Sequence, residues 1–383
     1  MKIALISFHS FAEPGGVKSH ILGLAKYYQK KGIDFKIIIP RRKIGENYGE
    51  KVILLGTAFK INFGGGISDL VFNFLPGSIE RILMREKFDI LHFHNASFPS
   101  FFQILLSPLS FETTNLLTFH SDIERSNFLK KYSRFFDFFI SFCNLRLDGI
   151  IAVSQIAFRY LKEFKKQKTV IPNGIDLETF NPNNPKLKEF LDGKINLLFV
   201  GRIEERKGLI YLLMAFKILS KKFQNLRLIV AGDGPEREKC ENFVRENRLR
   251  EVIFLGHVEE NLPSLYVSSH IFCAPSIYGE SFGIVILEAM ASGLPVVGFA
   301  NQGYKTLFKG KLGEKFLVRP KDYKQLAQKL EVLIKNEKLR KEIGKWGLEE
   351  VKKYSLEKVG EKVLQFYETC KNAKKAFKKV SIF

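Results

Sequence analysis

The sequence predicts an α/β protein of two domains, each built on a parallel sheet covered by helices. Short apolar runs alternate with Gly-rich turns and amphipathic stretches, which is the pattern of βα units. The 383 residues suffice for about two domains of roughly 150 residues each. A connector rich in Pro, Asn and Gly begins at Ile171 and separates two sets of predicted strands. We therefore predict one domain over residues 1–171 and a second over 172–354.

The predicted strands are the apolar runs that precede the turns. In the first domain they cover 3–8, 35–39, 90–93, 116–119 and 149–153. In the second they cover 196–200, 226–231, 252–255, 271–274 and 295–298. After about 320 the strands stop, and helical periodicity rich in Lys and Glu follows, ending in a lysine-rich tail over 371–379.

The composition is strongly basic, with 61 Lys and Arg against 40 Asp and Glu and a net charge of +21. Such a charge predicts a polyanionic partner, which is nucleic acid, an anionic membrane or a phosphate-bearing substrate. The sequence has no nucleic-acid docking motif. Its four cysteines are widely spaced, which indicates neither a disulfide framework nor a zinc site and favours the cytoplasm. We expect neither a signal peptide nor a membrane-spanning helix, because the uncharged stretch 90–111 contains His and Pro.

The turn after the first predicted strand is a candidate phosphate site. Gly15 and Gly16 precede a helix predicted over 17–31. Glycines let the backbone approach a ligand, and the helix N-terminus presents free N–H groups that suit a phosphate. A plain tight turn has the same pattern.

A second candidate follows the strand at 196–200, where Arg202, Arg206 and Lys207 lie in one short loop. The carboxyl edge of a parallel sheet is where such sheets bind ligands. Arg offers a bidentate fork for phosphate and Lys a point charge. A solvated basic loop is the alternative.

The most informative stretch leads from a strand through a Gly-flanked loop carrying Glu280 into a helix, which we predict from Phe282 to Gly293. A helix N-terminus beside an acid fits a sugar diphosphate, because backbone N–H groups hold phosphate and a carboxylate accepts from hydroxyls. Capping of the helix is the alternative role of Glu280. Glu288 lies on an otherwise apolar helix, so we expect it to face a polar group.

Glu280 and Glu288 form an E-x7-E pair that resembles the signature of retaining GT-B glycosyltransferases. The segments SFAEPGGVKSHILGLA, TFHSD, IAVS, IPNGID, VGRIEERKGL, VAGDGP, LGH and CAPSIYGESFGIV also occur in the order seen in bacterial phosphatidylinositol α-mannosyltransferases. This resemblance extends from Met1 to about Tyr367. It implies the α/β GT-B fold, with two Rossmann-like domains facing across a cleft and a C-terminal helix, 355–383, that crosses back to complete the N-terminal domain.

The resemblance also implies roles for individual residues. Arg202 and Lys207 would neutralise the leaving nucleoside diphosphate, and His120 would lie beside the acceptor and the sugar. Glu280 would bind sugar hydroxyls and Glu288 the ribose. The other residues implied to bind substrate are Gly15, Gly16, His9, Lys18, Ser121, Gly232, Val258, Glu259, Ser281, Phe282, Gly283, Ile284 and Val285. A carboxylate such as Glu259 can accept from the exocyclic amine of guanine, which favours a GDP-sugar.

We expect no metal and no cofactor beyond the nucleotide-sugar donor. His92 and His94 share one strand face, but no third ligand lies near them in sequence. The D-x-D pair with which other glycosyltransferases hold a metal is missing from the sequence. Cations and a helix N-terminus would offset the charge of the leaving diphosphate instead. For His120 the alternative is a hydrogen-bonded interior histidine.

Three positions depart from the family pattern. The family's aromatic residue near the first strand is His9, its glutamine after the double glycine is Lys18, and its His-Glu-Pro element reads His94-Asn95-Ala96. All three lie on the acceptor side, so the donor side is intact while the acceptor head group stays open.

A segment rich in Phe, Lys and Arg over 125–142 follows His120 and is a candidate membrane surface. At helical spacing its aromatic face comprises Phe128, Tyr132, Phe135, Phe139 and Phe142. The basic residues that we predict to contact lipid head groups are Arg125, Lys130, Lys131 and Arg134. A core helix has the same pattern.

The sequence thus favours a retaining, metal-independent hexosyltransferase, with mannose from GDP-mannose as the favoured donor and a membrane lipid or lipid-linked glycan as acceptor. It would be cytoplasmic and peripheral on the inner face of the cell membrane. One alternative is transfer from a UDP-sugar to a polysaccharide or other non-lipid acceptor. Others are a nucleic-acid-binding protein and a member of the fold without transfer activity, such as an epimerase or a lectin-like relative.

Overall fold

The computed structural model describes residues 1–12, 15–63, 66–97, 99–120 and 133–380. The chain forms two compact units: unit 1 comprises Met1–Gly174 and Leu356–Phe383, and unit 2 comprises Ile175–Ser355. Our predicted boundaries were 171/172 and 354/355. The division falls later because Ile175 pairs with Ser355 in a parallel bridge and donates its backbone N–H to Tyr354 O at 2.8 Å.

Unit 1 contains one sheet in the order β4-β3-β2-β1-β5-β6-β7-β8, parallel except between β3 and β4. Its strands are β1 Lys2–Ile6, β2 Asp34–Arg41, β3 Val52–Phe63, β4 Gly66–Phe72, β5 Ile90–Phe93, β6 Thr114–Phe119, β7 Gly149–Ala152 and β8 Gln167–Val170. From β1 the chain continues to β2 on one side, and β5 lies on the other. The carboxyl ends of β1 and β5 therefore form the switch point where open α/β sheets bind ligands.

The helices of unit 1 lie against two apolar clusters, each of which contains residues of the sheet. They are Gly16–Lys30, Ser78–Glu86, Ser100–Leu106, Ser133–Arg146, Gln155–Arg159 and Leu356–Val380, with a 3-10 turn at Pro108–Phe111. The last helix joins the core of unit 1 through Val359, Val363 and Tyr367. Lys374 Nζ also contacts Asp148 Oδ2 at 3.0 Å.

Unit 2 contains a parallel sheet in the order β11-β10-β9-β12-β13-β14. The strands are β9 Ile195–Val200, β10 Leu226–Ala231, β11 Val252–Gly256, β12 Ile271–Ala274, β13 Val296–Phe299 and β14 Leu317–Val318. The helices are Leu209–Ser220, Arg237–Glu246, Leu262–Val267, Ile284–Ala291, Gln302–Phe308, Tyr323–Lys335 and Glu337–Val351. Shorter 3-10 turns lie at Lys188–Phe190, Glu205–Lys207, Leu312–Phe316 and Lys352–Tyr354. The switch point lies between β9 and β12.

Two sequence predictions about these elements were wrong. Strands β3, β4, β8 and β14 were not predicted, because they are half-buried, polar or very short. The helix after Glu280 begins at Ile284 and not at Phe282, since Gly283 has a left-handed φ of 97°. The C-terminal helix implied for 355–383 is present as Leu356–Val380 and includes the lysine-rich stretch 371–379. Within the described residues, no helix is long and apolar enough to cross a membrane.

Candidate active site

Three loops of unit 2 meet backbone to backbone at the carboxyl ends of β9, β10 and β12. A side chain at Gly208 would overlap Pro275 O, and one at Gly232 would overlap Gly201 O. The backbone N–H of Ile277 donates to Arg206 O at 2.8 Å. The close approaches at Gly208 and Gly232 require glycine, and together with the hydrogen bond they hold the loop after β9 against the loop after β12. The two loops that the sequence predicts to bind ligand therefore pack directly against each other.

Glu280 is the centre of that structure and is 8% exposed. Its Oε1 lies 2.5 Å from Lys207 Nζ and 3.2 Å from Arg206 Nη1. Burial raises the pKa of Glu280, but the two cations outweigh it and hold that pKa below its usual value. Arg206 is fixed further by Glu204, 2.6 Å from Nε. The site therefore presents an ionised carboxylate with two cations, and Glu280 does not cap the helix.

Glu288 is 6% exposed, and its polar partner is Tyr266, whose Oη donates to Oε2 at 2.8 Å. Burial raises the pKa of Glu288 to about 7, while the hydrogen bond from Tyr266 acts in the opposite direction. Unlike Glu280, this carboxyl has no cation among the partners that shift its pKa. The two acids of the E-x7-E pair thus differ in charge state near neutral pH.

The helix Ile284–Ala291 begins beside Glu280 without a side-chain cap. Two hydrogen bonds hold Ser276 in the loop before this helix. Tyr304 Oη donates to Ser276 Oγ at 3.0 Å, and Asn301 Nδ2 donates to Ser276 O at 2.8 Å. The backbone N–H of Ile286 donates to Gly283 O at 3.0 Å, so the N–H groups that suit a phosphate or hydroxyl are those before it, near Val285. Residues 281–285, which the resemblance assigns to the sugar and phosphate pocket, lead into this helix.

The other predicted donor-side residues follow the strands β9, β10 and β11. Arg202 Nη1 is 4.0 Å from Glu204 Oε2. Val258 and Glu259 follow β11, and Glu259 is exposed beside His257, with 3.7 Å between Oε2 and Nε2. Gly232 bridges to Gly256, linking the edges of β10 and β11. These residues line neighbouring strand ends of the same sheet.

Unit 1 gathers three histidines at its own switch point. His20 lies on the first helix, and His94 and His120 follow β5 and β6. One ring nitrogen from each lies within 4.8 Å of the others. His94 is fully buried, and neither of its ring nitrogens has a hydrogen-bond partner within the described part of the chain. His120 is partly exposed, so it is not a fully enclosed core residue.

Burial sets the charge of these histidines. It lowers the pKa of His20 to about 4 and takes those of His92, His94 and His120 well below the usual value. All four rings are therefore uncharged near neutral pH. His92 uses both ring nitrogens, with Tyr367 Oη at 2.6 Å and Thr118 Oγ1 at 2.7 Å.

The remaining predicted residues of unit 1 lie around the same sheet edge. His9 Nδ1 is 3.6 Å from Asp69 Oδ2. Gly15 and Gly16 are exposed, and Lys18 lies in the first turn of the helix Gly16–Lys30. Ser121 lies outside the described residues.

The predicted membrane segment is described in part. Arg125, Lys130 and Lys131, with Phe128 and Tyr132, lie outside the described residues, and Arg134 is exposed. Phe139 and Phe142 pack against Phe101 and Phe102, with ring centroids 4.7 to 6.4 Å apart. For these two aromatic residues the core-helix alternative holds.

Several residues that shape the site received no role from the family resemblance, although Arg206 was one of the three loop cations named from the sequence. Arg206 contacts Glu280, whereas Arg202 was assigned the cationic role together with Lys207. Glu204 holds Arg206, and Tyr266 holds Glu288. His20 completes the histidine cluster. Only Arg206 had a usable signal, since it lies beside Lys207 in the same loop.

Two Rossmann-like parallel sheets, with an acid, two cations and an open helix N-terminus at one switch point, define a GT-B glycosyltransferase. A family model for glycosyl transferases group 1 matches residues 181–349, and one for glycosyltransferase family 4 matches residues 14–179. The chain belongs to the group 1 glycosyltransferases.

Similar proteins span nearly the whole chain. A phosphatidyl-myo-inositol mannosyltransferase of Mycobacterium leprae is 32% identical over 377 residues, covering 96% of this chain and 97% of the relative. That of Mycolicibacterium smegmatis is 30% identical over 380 residues, covering 97% and 95%. Among solved structures, a sucrose-phosphate synthase from Thermosynechococcus elongatus has a TM-score of 0.77 at 21% identity, covering 97% and 99%. Anabaena HepE, solved with UDP and glucose, has a TM-score of 0.73 at 18% identity, covering 95% and 98%.

Proposed function

We propose that this glycosyltransferase moves mannose from GDP-mannose to a membrane lipid or lipid-linked glycan, with retention of configuration and without a metal. The observation that carries the proposal is the contact of Glu280 with Lys207 and Arg206 beside the open N-terminus of the helix Ile284–Ala291. An acid for sugar hydroxyls and cations for a diphosphate are both needed by a nucleotide sugar.

The cations of this site would stabilise the leaving group. As the bond between the anomeric carbon and the phosphate oxygen breaks, negative charge grows on the diphosphate, and Lys207 and Arg206 would offset it. Both are already held by acids, so little reorganisation would be needed. Arg202, in the same loop, would add to this charge.

Retention would follow from attack on the face that the diphosphate leaves. The acceptor oxygen would bond to the anomeric carbon while its proton passes to a diphosphate oxygen, so no protein base is required. His120 would lie beside the acceptor, where its neutral ring can donate to or accept from a hydroxyl.

The choice of donor and acceptor is supported by the relatives, two of which are named as phosphatidyl-myo-inositol mannosyltransferases at 30 to 32% identity. The exposed carboxylate of Glu259 suits the exocyclic amine of guanine. The net charge of +21 suits an anionic membrane surface, and we propose peripheral binding on the cytoplasmic face.

The test is a panel of labelled nucleotide sugars with a total membrane lipid extract, followed by identification of the labelled product. We expect label from GDP-mannose in the lipid fraction. GDP at a hundred times its dissociation constant should also stabilise the protein by about 2.7 kcal/mol, with UDP giving less. Labelling from a UDP-sugar, in a water-soluble glycan, would favour the alternative.

A further inference from the structure

Unit 1 contains a histidine cluster formed by His20, His94 and His120. Sugar transfer does not explain why three histidines lie together there. The proposed reaction uses His120 alone. His94 is fully buried with two unpartnered ring nitrogens within the described part of the chain, an arrangement that disfavours folding unless a ligand satisfies it. No third ligand lies near the pair His92 and His94 in sequence, but the fold brings His20 and His120 to His94 from other elements.

We propose that His20, His94 and His120 form a binding site for a divalent transition metal such as Zn²⁺. Each of the three can offer one nitrogen, and these atoms lie within 4.8 Å of one another. Tetrahedral zinc with Zn–N bonds of about 2.0–2.1 Å needs nitrogens about 3.3 Å apart. Small rotations of the rings would close that difference.

The donor set and its surroundings agree with this assignment. Imidazole is a ligand that suits zinc, copper and nickel. His92 is excluded as a ligand because Tyr367 and Thr118 occupy both of its nitrogens. The partial exposure of His120 provides an entry path, and three protein ligands leave a fourth position for water.

The consequence for activity rests on the proposed function. A metal that takes the ring nitrogen of His120 removes that residue from the acceptor, so the metal would inhibit transfer. The site would then be inhibitory, which is compatible with a reaction that needs no metal.

The binding test uses the full chain without a histidine tag and titrates it with Co²⁺ alone. We expect one Co²⁺ per chain with the visible absorption of a tetrahedral site, displaced by Zn²⁺. His94→Ala should bind roughly 100-fold more weakly, while His257→Ala, which removes an exposed histidine, should bind as the wild type does. Circular dichroism checks that His94→Ala is folded, and His20→Ala provides a second variant.

Two results would overturn the proposal, namely wild-type protein that binds no Co²⁺ and variants at His94 and His20 that keep it. Transfer measured with and without Zn²⁺ tests the consequence separately. Binding without inhibition would refute the role of His120 beside the acceptor and leave the metal site standing. Loss of transfer activity in metal-free protein would instead refute the proposed function.

Discussion

The ionisation of Glu288 should be visible in the stability of unit 2. Burial raises the pKa of this carboxyl from 4.5 to about 7. The folded protein therefore holds a proton that the unfolded chain has released, and the free energy of unfolding falls as pH rises from 4.5 through about 7. At 1.36 kcal/mol per pH unit, the loss amounts to about 3 kcal/mol. Above pH 7 it is complete.

Glu288→Gln removes the titration and keeps the shape. Histidines whose pKa is lowered by burial, such as the half-buried His270, change stability in the opposite direction, because their lowered pKa favours folding as pH rises toward 6.5. They are common to both proteins and cancel in the difference. We expect Glu288→Gln to gain about 3 kcal/mol relative to the wild type between pH 4.5 and pH 8.

The assay is urea unfolding followed by the fluorescence of Trp346, the single tryptophan of the chain, which lies in unit 2. Tyr266→Phe is the matched variant, since it removes the hydrogen bond that lowers the pKa of Glu288 and should extend the pH dependence upward. Parallel stability profiles for the wild type and Glu288→Gln would contradict this prediction, because the carboxyl of Glu288 would then titrate alike in the folded and unfolded protein.

Three further predictions concern the site, the core and the membrane. Lys207→Ala should lower kcat by about 100- to 1000-fold because it removes charge stabilisation of the leaving group; the exposed Lys222→Ala is the control, and equal rates would contradict the assignment. Tyr367→Phe should destabilise unit 1 by about 1–3 kcal/mol in urea unfolding followed by circular dichroism, since His92 loses a buried partner; an unchanged midpoint would contradict this. The protein should sediment with anionic vesicles and be released by salt, whereas equal binding to neutral vesicles would contradict the proposed membrane surface.

The positions of many strands, and of the candidate loops that follow them, could be predicted because short local patterns of residues determine them. The strands at 226–231 and 271–274 have the predicted bounds, since 271–274 is a continuous apolar run and 226–231 is apolar apart from Arg227. Strand β3 was missed because its residues are half-buried and it pairs with β4 at one edge of the sheet. This segment mixes apolar and polar residues and is interrupted by Gly56, so its hydrophobic residues do not alternate as they do in a typical strand.

The contacts within the site could not be predicted, because they depend on distances between loops. Lys207 and Glu280 were each identified, but their direct ion pair follows from the approach of two strand ends. The sequence could not distinguish Arg206 from Arg202 as the partner of Glu280. Likewise, His20 and His94 are distant in sequence, and only the sheet order brings them together.

The most direct test of the central claim is the transfer of labelled mannose from GDP-mannose to membrane lipid by the wild type and by Glu280→Gln. Gln keeps the shape of Glu280 but removes the charge that fixes Lys207 and Arg206 and the carboxylate that would accept from the sugar. We expect labelled lipid with the wild type and a loss of about 100-fold or more in the folded variant. A Glu280→Gln protein that transfers mannose at the wild-type rate would contradict it.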